Sequence, residues 1–303
     1  MKKILLVAIL FLPILLFGGK LDFLVDSDWL LEEMQNPKTV VLDVRYYPHR
    51  YKTVGHIEGS SQVQRFKDLG ANNEIPTIRF PKKEAFEKTL RSWGVNNDSM
   101  IVIYDDSRSA MASRVYFLLD MFGFDMNRVK ILDGGNIEWQ MFNEMVKTKS
   151  TPKIGKVVLK EPKDFLAEWT DVYQRILSER NDAYVLIDNR PVPHYTGKEI
   201  KHSIRGGHIP GAINVVSLDG TQSSTGKWKS LDEIAELYAK VPKGKTIYLY
   251  CHDGFRMTLS YMQLKALGYK DVKLYNGGWG DWGMNLSLPV SQGDKPYDED
   301  FEL

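Results

Sequence analysis

Short apolar runs, each closed by charged or turn residues, punctuate the chain at Thr39–Val44 (TVVLDV), Met100–Tyr104 (MIVIY), Val129–Leu132 (VKIL) and Thr246–Tyr250 (TIYLY). Runs of this length and bounding predict buried strands. Between them lie segments of helical period. Leu21–Gln35 reads as a short strand and a helix. Lys82–Trp93 is a helix stopped by Gly94, Ala110–Phe122 one closed by Gly123, and Met257–Leu267 one ended by Gly268. A further helix is expected from about Asn136. Strands alternating with helices predict α/β units, each with a mainly parallel sheet flanked by helices.

The pattern occurs twice. Leu186–Arg190 (LIDNR) matches Leu42–Arg45, Gly207–Ala212 (GHIPGA) matches Gly55–Ser60 (GHIEGS), and Ile247–Cys251 matches Ile101–Asp105. Gly268–Trp282 likewise matches Gly123–Trp139. The distance from the first motif's aspartate to the end of the third strand is 62 residues in one half (43 to 105) and 63 in the other (188 to 251). Four motifs in one order at near-equal spacing indicate a duplicated domain. The lysine-rich, proline-containing stretch 148–163 reads as the linker between a domain at 20–147 and a second at 164–303. Its one apolar cluster, Val157–Leu159, is expected to lie extended against a domain.

The N-terminus departs from this pattern. Lys2 and Lys3 precede 14 apolar-rich residues, Ile4–Phe17, followed by Gly18 and Gly19. This layout predicts a secretory signal at 1–19 and a periplasmic destination, with an uncleaved anchor as the alternative. No membrane association is expected once the signal is removed. With 40 basic and 39 acidic side chains among 303 residues, no basic field argues for nucleic acid.

The chain has one cysteine, Cys251, so an internal disulfide is excluded. It opens the loop Cys251–Arg256 (CHDGFR) between a strand and a helix. Backbone N–H groups and the helix dipole converge there, and Arg256 adds positive charge, with part of one more expected from His252. A buried cysteine acting as a small hydrophobe is the bland reading. The flanking His, Asp, Gly and Arg favour a nucleophile. Gly254 lets the loop turn tightly, and Phe255 is expected to make its rim apolar. Asp253 opposes the field and is expected to face solvent or a base. The matching position in the first half is Asp105, so the thiol exists in one copy only.

Together the Asp-x-Arg after a strand (Asp188, Arg190), the GHIPGA segment, the Cys-led loop and the Gly-Gly-Trp at Gly277–Trp279 resemble the rhodanese family, specifically its tandem two-domain sulfurtransferases. The resemblance implies two rhodanese-like domains, an inactive N-terminal one and a catalytic C-terminal one, with a cleft between them. It implies that Cys251 takes sulfane sulfur from thiosulfate or 3-mercaptopyruvate as a persulfide and passes it to cyanide or a thiol. It further implies that Asp188 supports the active loop and that Arg190 forms a structural ion pair. His194 stands where relatives often carry an arginine that meets the donor. It is a candidate substrate contact with His252, Gly254, Phe255 and Arg256, and Lys198, Lys201 and Arg205 are alternative sources of charge. Trp279 and Trp282 are candidates for the cleft wall or for core.

The charge of the loop favours thiosulfate over 3-mercaptopyruvate. A phosphatase needs Cys-x5-Arg around a phosphate, whereas this spacing is Cys-x4-Arg, a tighter ring. A non-turnover sulfane-sulfur carrier uses the same chemistry as an enzyme and stays open. The six histidines form no recognised ligand motif, and His56 and His208 share a repeat position, so no metal and no cofactor are expected. Small-molecule donor and acceptor are the expected partners of a monomer.

Overall fold

The computed structural model describes residues 21–71 and 78–298, so the expected signal at 1–19 lies outside the described residues. The first half holds strands β1 (Leu24–Val25), β2 (Thr39–Asp43), β3 (Ser61–Gln62), β4 (Met100–Tyr104) and β5 (Val129–Leu132). The second holds β6 (Leu166–Ala167), β7 (Tyr184–Asp188), β8 (Ile213–Asn214), β9 (Thr246–Tyr250) and β10 (Val272–Tyr275). All pairings are parallel, in the orders β1-β5-β4-β2-β3 and β6-β10-β9-β7-β8. The second sheet thus repeats the first strand for strand. The long apolar strands β4 and β9 lie at the centre, as expected for strands covered on both faces.

Parallel neighbours need crossover connections, which helices supply. Helices α1 (Ser27–Glu33), α2 (Arg50–Thr53), α3 (Arg65–Leu69), α4 (Lys83–Ser92), α5 (Ala112–Met121) and α6 (Gly135–Phe142) belong to the first unit. Helices α7 (Trp169–Val172), α8 (Val192–Tyr195), α9 (Leu231–Leu237), α10 (Arg256–Ala266) and α11 (Gly278–Trp282) belong to the second. The ends of the two central helices differ from the sequence-based limits by one or two residues, within the fraying of helix termini.

The units meet along α5 and α10, which pack against each other. Every residue of α5 is buried, and α10 is buried except at Arg256 and Lys265. That is why neither helix shows a clean polar face in the sequence. One apolar cluster joins Val115, Phe117 and Leu118 of α5 to Leu259, Met262 and Leu264 of α10. Fully burying each such side chain contributes roughly 1.5–3 kcal/mol. Polar ties reinforce the contact. Asp120 of α5, 1% exposed, accepts from Lys163 at 2.6 Å and Tyr261 at 2.8 Å and also pairs with Lys265. Trp228 Nε1 donates to Ser109 Oγ at 3.0 Å.

The segment 148–163 carries no helix or strand. It runs along the first unit with Gly155, Val157 and Lys160 donating to the carbonyls of Arg91, Val95 and Phe122 at 2.8, 3.1 and 2.9 Å. Val157 and Leu159 are buried beneath it.

Candidate active site

In a parallel sheet all strands end on the same edge, so the loops that follow them gather there. The loops after β4 and β9 therefore occupy equivalent places. Asp105 follows β4, and Cys251 follows β9. Each carbonyl is held from the start of the helix after the last strand: Asn136 N–H donates to Asp105 O at 2.9 Å, and Trp279 N–H to Cys251 O at 2.8 Å. A Cβ on Gly278 would lie 2.7 Å from Cys251 O, so this approach requires glycine.

The Asp105 loop is a filled anion cradle. Its carboxylate accepts from the N–H groups of Ser107, Ser109, Met111 and Ala112 at 2.8–3.1 Å. Burial still pushes the carboxyl above its ordinary range, against the pull of those amides. The Cys251 loop is shorter and is not such a ring. One N–H, that of Gly254, donates to Sγ, at 3.1 Å. The convergence of several amides expected at the thiol is thus found around the aspartate instead. Cys251 itself has no exposed surface, so the opening expected beside it is closed. Two clefts of about 460 and 450 Å³ lie elsewhere, one lined by Ile200, Ile204 and Val290, the other by Leu24, Trp29 and Lys227.

His252 is 8% exposed, and burial pulls its imidazole down to about 4, with Asp253 opposing and the Arg190 and Arg256 charges assisting. It is neutral at neutral pH, so the partial positive charge expected of it is corrected. Its Nε2 has no partner among the described residues, and its ring faces that of His202 at 5.6 Å. Arg256 begins α10, is half-buried, and its side chain makes no ion pair among the described residues. It remains the cation at the loop's end. Phe255 is 2% exposed and forms an inner wall instead of the apolar rim expected of it. The Asp253 side chain is half-buried and forms no ion pair among the described residues.

His194 pairs with Glu199 at 3.3 Å and is held below its usual range by burial and by the charges of Arg256 and Arg190. Among the described residues no hydrogen bond joins His194 to the Cys251 loop. Arg205 donates to four carbonyls, those of Trp282, Gly283, Asn285 and Leu288, and so ties down the chain after α11. Lys198 and Lys201 are exposed.

Asp188 and Arg190 form a buried two-pronged pair, with Nη2–Oδ2 at 2.6 Å and Nε–Oδ1 at 3.0 Å. The guanidinium lies over the Trp279 ring at 4.3 Å. The backbone N–H of Trp279 in turn holds the Cys251 carbonyl, so the pair reaches the loop through one residue. Asp43 and Arg45 repeat the pair at 2.8 Å in the first unit. Trp279 and Trp282 are both core, 1% and 0% exposed. His56 and His208 are likewise twins. Each stacks on a tyrosine, Tyr51 or Tyr195, at 3.6 or 3.8 Å, with Nδ1 bonded to that tyrosine's carbonyl at 2.9 Å. Among the described residues no group of three His, Cys, Asp or Glu side chains is placed to hold a metal ion.

One residue at the site escapes sequence reasoning. Arg114, in the first turn of α5, is 0% exposed and makes no carboxylate ion pair among the described residues. It donates to the carbonyls of Leu69, Ile78, Arg79 and, across the junction, Asp253 at 3.0, 2.7, 3.2 and 3.1 Å. Its guanidinium lies over Phe80 at 4.2 Å and Phe255 at 4.8 Å. Burial pulls it down to about 10, which leaves it a full cation at neutral pH. The available signal was a single arginine inside a helical run whose one other charge is Asp120.

Comparison with known proteins agrees with this geometry. A family model described as a rhodanese-like domain matches residues 26–142 and again 170–285. The sulfur carrier protein TtuD of Thermus thermophilus is 30% identical over 293 residues, covering 90% of this chain and 98% of its own. A putative thiosulfate sulfurtransferase of Mycolicibacterium smegmatis is also 30% identical, over 284 residues, with 90% and 98% covered. The 3-mercaptopyruvate sulfurtransferase of Escherichia coli is 28% identical over 285 residues, with 88% and 96% covered. The solved structure of SseA from Escherichia coli superposes with a TM-score of 0.74 at 26% identity, covering 85% of this chain and 98% of that one.

Proposed function

Since this chain belongs to the rhodanese family, as two rhodanese-like domains in tandem, we propose that it is a sulfurtransferase working through a persulfide on Cys251, with thiosulfate as donor. The Cys251 thiolate attacks the outer sulfur of thiosulfate. The S–S bond of the donor breaks, and sulfite leaves with the electron pair. The product Cys–S–S⁻ carries the single negative charge that the thiolate brought. Cyanide or a thiolate then attacks the terminal sulfur, leaving as thiocyanate or a new persulfide and restoring the thiolate. The proton balance closes without a general base once the thiol is ionised.

The observation that carries this reading is the Gly254 N–H aimed at Sγ from 3.1 Å. It is a donor for a negative sulfur, placed where a thiolate and then a persulfide stand in turn. The first repeat supports the second state. A carboxylate oxygen of Asp105 is two bonds from Cβ, as is the outer sulfur of a persulfide. Four amides meet that oxygen pair in the twin loop. The buried thiol requires the loop to open for each exchange. Arg256 and Arg114 supply two positive charges, which suits a dianionic donor.

3-Mercaptopyruvate is the competing donor, since the similar proteins divide between the two names. With it a C–S bond breaks and the pyruvate enolate takes up the thiol proton. Steady-state rates with each donor and cyanide decide. Faster turnover with thiosulfate is expected; faster turnover with mercaptopyruvate reverses the choice. Stoichiometric loading without turnover marks a carrier instead. The signal at 1–19 and export to the periplasm belong to the same proposal, and cell fractionation with N-terminal sequencing tests them.

A further inference from the structure

We propose that Arg114, supplied by the domain that lacks a cysteine, is a positioning residue for the sulfur of Cys251, acting through a single peptide plane. This deepens the sulfurtransferase reading. The Asp253 carbonyl and the Gly254 N–H belong to one peptide unit. In a trans peptide these two groups point in opposite directions within one plane. On one side Arg114 Nη1 donates to the Asp253 carbonyl at 3.1 Å. On the other the Gly254 N–H donates to Cys251 Sγ at 3.1 Å. Fixing the carbonyl therefore fixes the direction of the donor. A cation on the carbonyl also polarises the unit and makes its N–H a stronger donor.

The surroundings hold this arrangement from both domains. Three further carbonyls of the first domain and the Phe80 ring lock the guanidinium in place. Beside it Ser113 Oγ lies 2.8 Å from Thr258 Oγ1, and Thr258 donates to the Phe255 carbonyl at 2.6 Å, pinning the loop's other end. Gly254 sits at φ +89°, and a Cβ there would stand 2.3 Å from Arg114 Nη1. Glycine is thus required by Arg114 as well as by the turn. The fully buried guanidinium makes no carboxylate ion pair among the described residues, and the negative groups that favour its charge against burial are the Asp253 carboxylate first and the Cys251 sulfur second. The first domain, without a nucleophile of its own, thereby completes the site of the second.

The test uses the full chain and methyl methanethiosulfonate, which gives its CH₃S group to a thiolate and releases methanesulfinate. Cys251 is the only cysteine, so mass gain reports that sulfur with no donor or acceptor involved. Wild type, Arg114→Lys and Arg114→Met are compared from about pH 5 to about pH 9, with folding followed by circular dichroism. The expected rate for Arg114→Met is about tenfold below wild type on the acid side, converging at high pH, with Arg114→Lys within about threefold of wild type throughout. A folded Arg114→Met protein that follows the wild-type profile at every pH overturns the assignment. If Arg114→Met does not fold, Gly254→Ala separates the same contact from the loop side and leaves the other three carbonyls of Arg114 in place. Wild-type rates in that variant overturn the assignment equally, and a displaced profile supports it. Failure of every sulfur donor to load wild-type Cys251 counts against the sulfurtransferase reading and leaves this measurement valid.

Discussion

Asp105 and Cys251 stand at the same point of two units with the same strand order, each at the end of the central strand with its carbonyl held by an amide of the last strand–helix turn, at 2.9 and 2.8 Å. One position carries a carboxylate and the other the chain's single thiol. In the first unit four amides surround the Asp105 carboxylate, and in the second the Gly254 amide alone meets the Cys251 sulfur.

The first consequence concerns stability. Asp105→Ala leaves three buried N–H groups and one part-buried one unmatched and is expected to destabilise the protein by about 2–4 kcal/mol. Asp105→Asn, which keeps one carbonyl oxygen, is expected to lose about half as much. Urea denaturation measures both. Sulfur loading at Cys251 should persist in whatever fraction remains folded, because the first repeat holds no nucleophile.

His252 makes stability depend on pH in one direction. Its folded imidazole sits down at about 4, while an unfolded histidine titrates near 6.5. Between these values the unfolded chain binds the proton and the folded one does not, so stability falls as pH drops from about 6.5 toward about 4. The loss attributable to this group is of order 3 kcal/mol across that window. Asp43, raised to about 6 chiefly by burial, works the opposite way over its own range. The check is therefore a difference: His252→Asn should flatten the acid-side slope of thermal stability relative to wild type, and an unchanged slope contradicts a neutral buried imidazole.

The domain junction carries a second pH signature. Burial alone would raise the Asp120 carboxyl, but Lys163, Lys265 and Tyr261 hold it below its usual range. Its stabilisation is present above the unfolded carboxylate value and is lost as pH falls through the lower folded one. Both lysines are about half exposed, which screens the pairs. Asp120→Ala is expected to cost about 2–3 kcal/mol, read by chemical denaturation as a loss of joint unfolding of the two units.

Arg256 discriminates between donors. Replacing it with Gln should raise KM for dianionic thiosulfate by about tenfold and more than it raises KM for mercaptopyruvate, with a smaller change in kcat. Equal effects on both donors argue against a role for Arg256 in reading donor charge.

Much of this was legible in the chain itself. The four longer strands named from apolar runs, the duplication and the cysteine loop all rest on short-range patterns, which survive any tertiary arrangement. Burial is not a short-range pattern. His252 looked cationic because nothing in CHDGFR says that the imidazole is covered. Phe255 looked like a rim for the same reason. Arg114 lies 137 residues before Cys251 (251 − 114) and reaches it only because α5 and α10 pack side by side. Its role depends on a peptide plane in another domain, which no spacing rule encodes. The amide ring was foreseen for the right loop type but found complete around Asp105, since the first loop has two more residues before its helix starts.

The persulfide is tested most directly by intact mass after exposure to thiosulfate, with Cys251→Ser alongside. Wild type is expected to gain the mass of one sulfur atom, lost again on adding cyanide, while Cys251→Ser gains nothing. A wild-type chain whose mass stays unchanged after every donor, or a serine variant that gains sulfur equally, contradicts a persulfide at Cys251.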